Sequence, residues 1–141
     1  MSDKVRRVII SGFDYVKTEA LARRLEEIYG MKECSIIYVP EEKYREDRMT
    51  AHMVASNGAD GSIFRYIRRH EADVLYAGSD YDACRNFAWI SPRGTILVEN
   101  TDSSGANPRF PAEAAEKYLK AQAEMGYVRT LIHCKSILAD V

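Results

Sequence analysis

The residues best placed for chemistry share one feature, which is that each lies just beyond a predicted buried strand. They are Gly12, Phe13, Asp14 and Tyr15 after the first strand, Ser79 and Asp80 after a later strand, and Asn100 and Thr101 after the last. In an open parallel sheet, ligands bind beyond the carboxyl ends of the strands, where the connections diverge. Helix N-termini at the first two places offer free backbone N–H groups and a dipole that favours an anion. We therefore expect a ligand or a partner at this edge of the sheet.

Two carboxylates at this edge argue against a phosphate ligand. Asp14 and Asp80 would repel a phosphate, and an Asp at the start of a helix more often caps it. The first turn has one glycine, Gly12, where the dinucleotide fingerprint needs three, and there is no Walker-type loop. Phe13 and Tyr15 carry side chains where the backbone would have to approach a pyrophosphate closely. We expect these two rings to offer aromatic surface to a protein partner instead.

No cysteine or histidine has the spacing of a metal site or of an activated nucleophile. The cysteines and lone histidines are Cys34, Cys84, Cys134, His52 and His70. The pair His133-Cys134 lacks the Arg that a phosphatase loop carries six residues after its cysteine, and the helical spacing around the pair predicts packing roles. No Ser–His–Asp arrangement can be argued from residue order alone. The chain by itself is expected to hold no metal and no iron–sulfur cluster.

Composition is that of an ordinary globular domain. With 141 residues, 46% hydrophobic and 29% charged, the chain is long enough to bury a core as one domain, 1–141. The net charge of −1 argues against a nucleic-acid partner attracted by bulk charge. No apolar segment approaches the ~20 residues of a membrane span, and the N-terminus has no signal-peptide pattern. We therefore expect a cytoplasmic protein with no membrane partner.

The hydrophobic pattern predicts an α/β fold, a three-layer doubly wound sheet that is mainly parallel, with helices on both faces. Predicted strands are Val5–Ile10, Ser35–Val39, Met49–Ser56 near a sheet edge, Asp73–Ala77 and Thr95–Glu99. Predicted helices are Tyr15–Tyr29, Ser62–His70, a crossover helix that starts at Ser79 and Asp80, Ala112–Met125, and a C-terminal helix from Val128. The charged stretch from Pro40 to Arg48 is predicted to be an exposed loop, and Pro92-Arg93-Gly94 a turn.

The central stretch, 73–100, resembles the gamma-type domain of 2-oxoacid:ferredoxin oxidoreductases. The residues that carry the resemblance are Asp73-Val74, Arg85-Asn86, Ser91-Pro92-Arg93-Gly94-Thr95 and Asn100. The stretch Tyr44–Ser56, which contains Arg48, is similar to a charged loop that leads into an alternating strand in that family. The first turn departs from the glycine-rich turn of the family, and the Gly-Gly that usually follows the arginine of the charged loop is missing after Arg48.

The resemblance implies a gamma-type subunit, or a stand-alone relative, that is noncatalytic by itself. In the family this domain helps to shape the acyl-acceptor side and holds the complex together. Thiamine diphosphate, iron–sulfur clusters and coenzyme A would then belong to the wider complex, and the partner would be another oxidoreductase subunit or a second copy.

The alternative is an independent enzyme or module that binds a small molecule or nucleotide on the same Rossmann-like fold, near Asp14, Asp80 and Asn100. An exposed apolar patch would favour the partner role, and a deep pocket with converging polar groups would favour the enzyme.

Overall fold

The computed structural model describes residues 5–30, 33–42, 45–56, 67–99, 112–135 and 137–138. Its strands are β1 (Val5–Phe13), β2 (Glu33–Glu42), β3 (Arg45–Ser56), β4 (Ala72–Ala77), β5 (Ile90–Glu99) and β6 (Thr130–Cys134). Its helices are α1 (Tyr15–Tyr29), α2 (Asp80–Arg85) and α3 (Ala112–Glu124), with a short 3-10 helix at Phe87–Trp89.

The strands form one six-stranded sheet in the order β2-β3-β1-β4-β5-β6. β4 lies between β1 and β5 and is parallel to both, and β6 is parallel to β5. β3 is antiparallel to its neighbours β1 and β2, so among the described strands it alone runs against the rest. The predicted mainly parallel sheet, with the first strand parallel to the strand at Asp73–Ala77, is confirmed.

Helices cover both faces of the sheet, as the pattern predicted. α1 buries Leu21 and Leu25 against one face. α2 and α3 bury Ala83 and Leu119 against the other face, where Leu75 of β4 is fully buried. This arrangement gives the three layers of a doubly wound α/β fold. None of the described helices combines the length and the apolar character that a membrane crossing requires.

Helix α1 begins and ends where the sequence predicted, because both caps are local. The Asp14 carboxylate accepts a hydrogen bond from the Lys17 backbone N–H at 2.7 Å, which satisfies one of the free donors of the first turn. Gly30 adopts the left-handed conformation, φ 63°, and its N–H bonds back to the Glu26 carbonyl. Glycine reaches this conformation without a Cβ penalty.

The predicted loop between Pro40 and Arg48 is wrong for residues 40–42 and 45–48, and residues 43–44 lie outside the described residues. β2 continues to Glu42, which pairs with Arg45 at the start of β3. β3 lies directly beside the edge strand β2, so the predicted strand near a sheet edge is present, and its apolar side chains are buried on both faces. The predicted unit of the first strand, α1 and the second strand is present, but β3 is inserted between its two strands. The polar composition of this stretch predicted a loop. Composition does not show that a neighbouring strand supplies partners for the backbone hydrogen bonds.

The predicted C-terminal helix is also wrong, because the chain after Gly126 forms β6. Thr130–Cys134 pairs with β5. The short apolar run fits both the helical and the strand period, and this long-range pairing makes it a strand. Ile67–His70 forms coil and turn, so the predicted helix Ser62–His70 is wrong there, and its residues 62–66 lie outside the described residues.

The predicted turn at Pro92-Arg93-Gly94 lies within β5, at an irregularity in its pairing with β4. Gly94 is needed there because a Cβ at this position would lie 2.9 Å from the Ala72 carbonyl oxygen. The strand therefore starts earlier than the proline suggested, and the glycine serves close backbone packing.

Candidate functional site

The site predicted from the sequence lies where β1 and β4 meet at the carboxyl edge of the sheet. β1 leads through α1 to β2 on one side, and β4 leads through α2 to β5 on the other. Neighbouring strands with diverging connections form a topological switch point, the usual ligand crevice of this architecture. The Gly78 backbone N–H donates to the Ser11 carbonyl at 2.9 Å, so the two turns are in direct contact.

Atoms of the chain itself fill this crevice. Gly12 has φ +98°, and a Cβ built on it would collide with the Asp82 carboxylate and lie 3.1 Å from the Gly78 nitrogen. A Cβ on Gly78 would lie 2.9 Å from the Gly12 carbonyl oxygen and 3.2 Å from the Phe13 ring. Both glycines are therefore required by contacts within the chain. The space that a nucleotide would need for a close approach to the backbone of these glycines is already occupied by the chain itself.

Asp82 is the buried carboxylate of the crevice, with 2% of its surface exposed. Its Oδ2 accepts a hydrogen bond from the Ser79 hydroxyl at 2.7 Å, and its backbone N–H donates to the Ser79 Oγ at 3.2 Å. Ser79 is thus the N-cap of α2, as predicted, and its hydroxyl in turn donates to the Asp82 carboxylate. The residue was missed in the sequence, although the spacing of Ser79 and Asp82 is the capping signature.

Asp80 pairs with a histidine and does not cap α2. Its Oδ1 lies 2.6 Å from His133 Nε2, and the two side chains are 18% and 29% exposed. His133 reaches this edge because β6 runs parallel to β5 and places His133 beside Val98. A carboxylate only accepts hydrogen bonds, so Nε2 is the donor in this contact, which orients the imidazole. The interpretation of His133 as a packing residue is therefore wrong.

A second buried carboxylate, Glu99, ends β5 with 3% of its surface exposed. Lys17 Nζ contacts its Oε1 at 2.6 Å, and the Tyr76 hydroxyl donates to its Oε2 at 2.7 Å. The Lys17 ammonium also lies 4.9 Å from the centre of the Phe13 ring, a cation–π distance. These contacts use the carboxylate within the chain and fix the end of β5. Lys17, Tyr76 and Glu99 were not predicted as site residues, although Glu99 marks a charge at the end of an apolar strand.

Of the two aromatic residues in the first turn, only Tyr15 is exposed. Phe13 is 6% exposed because β1 extends to it and its ring packs 5.8 Å from that of Tyr76. The expectation of an exposed Phe13 ring is therefore wrong. Tyr15 is 46% exposed and Val16 76%, and the Tyr15 ring lies 4.9 Å from the Tyr38 ring of β2. Tyr15, Val16 and Tyr38 form an apolar surface that we call the α1 patch.

The side chains of three predicted site residues lie outside the described part of the chain. The backbone of Arg48 lies in β3, but its side chain is outside the described residues. Asn100 and Thr101 also lie outside the described residues, directly after Glu99. The edge is thus built from the first turn, the α2 turn and the ends of β5 and β6.

Burial makes the described thiols poor nucleophiles. Burial, with a smaller effect of Asp80, raises the pKa of Cys84 to about 12, and its Sγ lies 3.5 Å from the Ala115 carbonyl oxygen. Burial and then Glu99 raise the pKa of Cys134. The thiolate is the reactive and metal-binding form, and a raised pKa lowers its population near neutral pH for both side chains. Within the described ranges, no group of three or more His, Cys, Asp or Glu side chains could hold a metal ion.

The sequence matches no known protein-family profile and no curated protein. Among solved structures, the chain is similar to the PORC subunit of pyruvate oxidoreductase from Thermotoga maritima, with 13% identity and a TM-score of 0.44. The match covers 72% of this chain and 53% of that subunit, so the chain spans about half the length of its structural neighbour. This is a distant fold resemblance, and nothing about function follows from it.

Proposed function

We propose that this chain is a noncatalytic, partner-binding domain, a gamma-type subunit or stand-alone relative of a 2-oxoacid:ferredoxin oxidoreductase. The observation that carries the proposal is the filled crevice at the switch point. Its support from the sequence is the resemblance over 73–100, where Asp73-Val74 and Arg85-Asn86 frame the central strand and helix.

A filled crevice disfavours a nucleotide for a steric reason and an electrostatic one. Gly12 and Gly78 approach each other, and Gly12 also approaches Asp82, so atoms of the chain take the space beside both glycines that a pyrophosphate would need. The buried Asp82 carboxylate is held by Ser79 and adds negative charge where a phosphate would sit. Displacing it would leave a buried charged group without its hydrogen bond, which is costly. The turn that binds cofactors in many related folds therefore serves stability here.

The α1 patch favours a protein contact at the same edge. Val16 is the most exposed large apolar side chain of the described residues, and Tyr15 beside it is also exposed. The ring of Tyr38 supports Tyr15 from β2, so two different elements fix the shape of the patch. Rigid aromatic side chains of this kind are enriched in protein interfaces.

Cofactors belong, in this proposal, to the other parts of the complex. Thiamine diphosphate, iron–sulfur clusters and coenzyme A would be bound outside this chain, or at surfaces it forms only with its partners. Elemental analysis of the purified chain is expected to find no stoichiometric iron or zinc. A stoichiometric metal would show that the chain holds a site of its own.

Sedimentation velocity tests the partner role. The chain is expected to self-associate, or to form a complex when mixed with the other subunits of a 2-oxoacid:ferredoxin oxidoreductase from the same organism. The double variant Tyr15→Ala, Val16→Ala should lose the association. Ile28→Ala is the matched control, because Ile28 is a 51% exposed apolar residue at the other end of the same helix. An association that the double variant leaves unchanged would exclude the α1 patch as the interface.

One observation favours the alternative of an independent small-molecule enzyme, the pair formed by Asp80 and His133. A partly exposed imidazole oriented by a carboxylate can act as a general base. Calorimetric titration with coenzyme A and dinucleotides separates the two functions. A monomer that binds such a ligand at micromolar affinity, with the binding lost in His133→Gln, would establish the enzyme and overturn the partner role.

A further inference from the structure

The two edge strands of the sheet differ in the features that control pairing with another chain. The sequence of β2 contains a proline and three acidic residues, namely Pro40, Glu33, Glu41 and Glu42. Proline cannot donate a ladder hydrogen bond, and charges on an edge discourage pairing. β6 has no proline, and the two exposed residues that flank it, Arg129 and Lys135, are basic. The edge at β6 is thus the less protected of the two.

Contacts between described residues hold both ends of β6 in place. Before the strand, the Arg129 backbone N–H donates to the Gly94 carbonyl at 3.1 Å. After it, the Ile137 N–H donates to the Tyr76 hydroxyl at 3.2 Å, and Arg24 Nε donates to the Ile137 carbonyl at 3.4 Å. The chain therefore turns inward on both sides of β6. Among the described strands, β5 is its one neighbour, so alternate N–H and C=O groups face outward.

One exposed apolar side chain indicates which face of β6 would be covered by a strand from another chain, here called the guest strand. Leu131 packs into the core beneath α2 and α3, and Cys134 packs into the core on the α1 face. Ile132 has the same parity as Cys134 but remains 43% exposed. A guest strand beside β6 would cover Ile132 if its own side chains on that face were apolar.

We propose that the β6 edge binds an extended peptide segment with an apolar centre and an acidic residue at each end, which adds to the sheet as a seventh strand. Arg129 lies directly before β6 and Lys135 directly after it, six positions apart in the sequence. A guest with two carboxylates at that spacing would pair with both cations, while its backbone completes the ladder of β6. The proposal is independent of the α1 patch, which lies on other elements, so either can fail without the other.

A designed peptide tests this directly. The probe is fluorescein-labelled Glu-Val-Thr-Ile-Thr-Val-Glu with blocked ends, titrated with the full chain and followed by fluorescence anisotropy at low salt. Two controls have matched length, one with Lys at both ends and one with alternate backbone nitrogens methylated. The parent peptide should bind, and each control should bind at least about tenfold more weakly. The variant Arg129→Glu, Lys135→Glu should reverse the preference between the acid-ended and the Lys-ended peptide.

Amide hydrogen exchange then locates the guest strand. Bound peptide should protect the amides of Thr130–Cys134 and leave those of Ser35–Tyr38 in β2 unchanged. Circular dichroism of the charge-reversed variant confirms that it folds. Equal binding of the methylated peptide, protection at β2, or an unchanged preference in the charge-reversed variant would each overturn the proposal, as would a parent peptide that does not bind.

Discussion

Replacing Gly12 by alanine tests the filled crevice at its tightest point. The new Cβ would meet the Asp82 carboxylate and lie 3.1 Å from the Gly78 nitrogen, and the residue would have to keep φ +98°. The backbone strain costs about 1–2 kcal/mol, and overpacking a buried site costs about 1–3 kcal/mol. Alanine also reduces the conformational entropy of the unfolded chain, which offsets about 0.4–1 kcal/mol of this cost. Gly12→Ala should therefore lower the free energy of unfolding by about 1–5 kcal/mol.

The matched control is Gly30→Ala, which isolates the strain. Gly30 also has positive φ, at +63°, but a Cβ there would meet no atom within 4 Å. Its substitution should cost about 1 kcal/mol or less, since only backbone strain opposes the entropic gain. Urea denaturation followed by far-UV circular dichroism measures both variants, with equal m values required for the comparison. A cost for Gly12→Ala no larger than that for Gly30→Ala would refute the filled crevice.

A double-mutant cycle identifies the atom that fills the space. If the Asp82 carboxylate is the obstacle, Asp82→Ala should recover part of the loss caused by Gly12→Ala, giving a coupling of about 0.5–3 kcal/mol. Asp82→Ala alone also removes the hydrogen bond from Ser79, so the cycle, not the single variant, is the informative quantity. Strictly additive losses would place the strain elsewhere.

Three further predictions concern the core and its titrating groups. Leu75→Ala should destabilise the fold by about 2–5 kcal/mol, because Leu75 is fully buried, and a loss below about 0.5 kcal/mol in urea denaturation would contradict that burial. Cys84, with a pKa raised to about 12, should react with iodoacetamide at pH 8 far more slowly in the folded than in the unfolded chain, and equal rates would show that the thiol is accessible. Burial lowers the pKa of His52, so its contribution to stability is present above the ordinary histidine pKa of about 6.5 and is lost as the pH falls through the lowered folded value. Denaturation between pH 7 and pH 4 should show this loss in the wild type and less of it in His52→Gln, and parallel curves would contradict it.

The parts of the fold that the sequence predicted depend on local chemistry. The Asp14 cap, the apolar face of α1 and Gly30 fix that helix within its own residues. The strand predicted at Asp73–Ala77 and the short connection that begins at Ser79 likewise predicted the parallel centre of the sheet. Buried parallel strands read as continuous apolar runs, so their existence is visible without their neighbours.

The parts that failed depend on partners far away in the sequence. β6 is a strand because β5 offers Thr95–Glu99 for pairing, although its own residues fit a helical period. The hairpin of β2 and β3 is polar at its far end and is held by cross-strand hydrogen bonds that polarity does not report.

The candidate site shows the same limit. The sequence named the turns that meet at the switch point, because they follow strands. It could not show that Asp80 pairs with His133, since that contact requires β6 to be a strand parallel to β5. It also placed Phe13 at the surface, because the extension of β1 by three residues beyond Ile10 was not visible.

The most direct test of the central claim is light scattering with size-exclusion chromatography on the chain co-expressed with the other subunits of a 2-oxoacid:ferredoxin oxidoreductase from its own organism. The account predicts a stoichiometric complex with the wild type, retained in Ile28→Ala and lost in the Tyr15→Ala, Val16→Ala variant. A chain that remains a monomer in every mixture would contradict the proposal that it is a partner-binding domain.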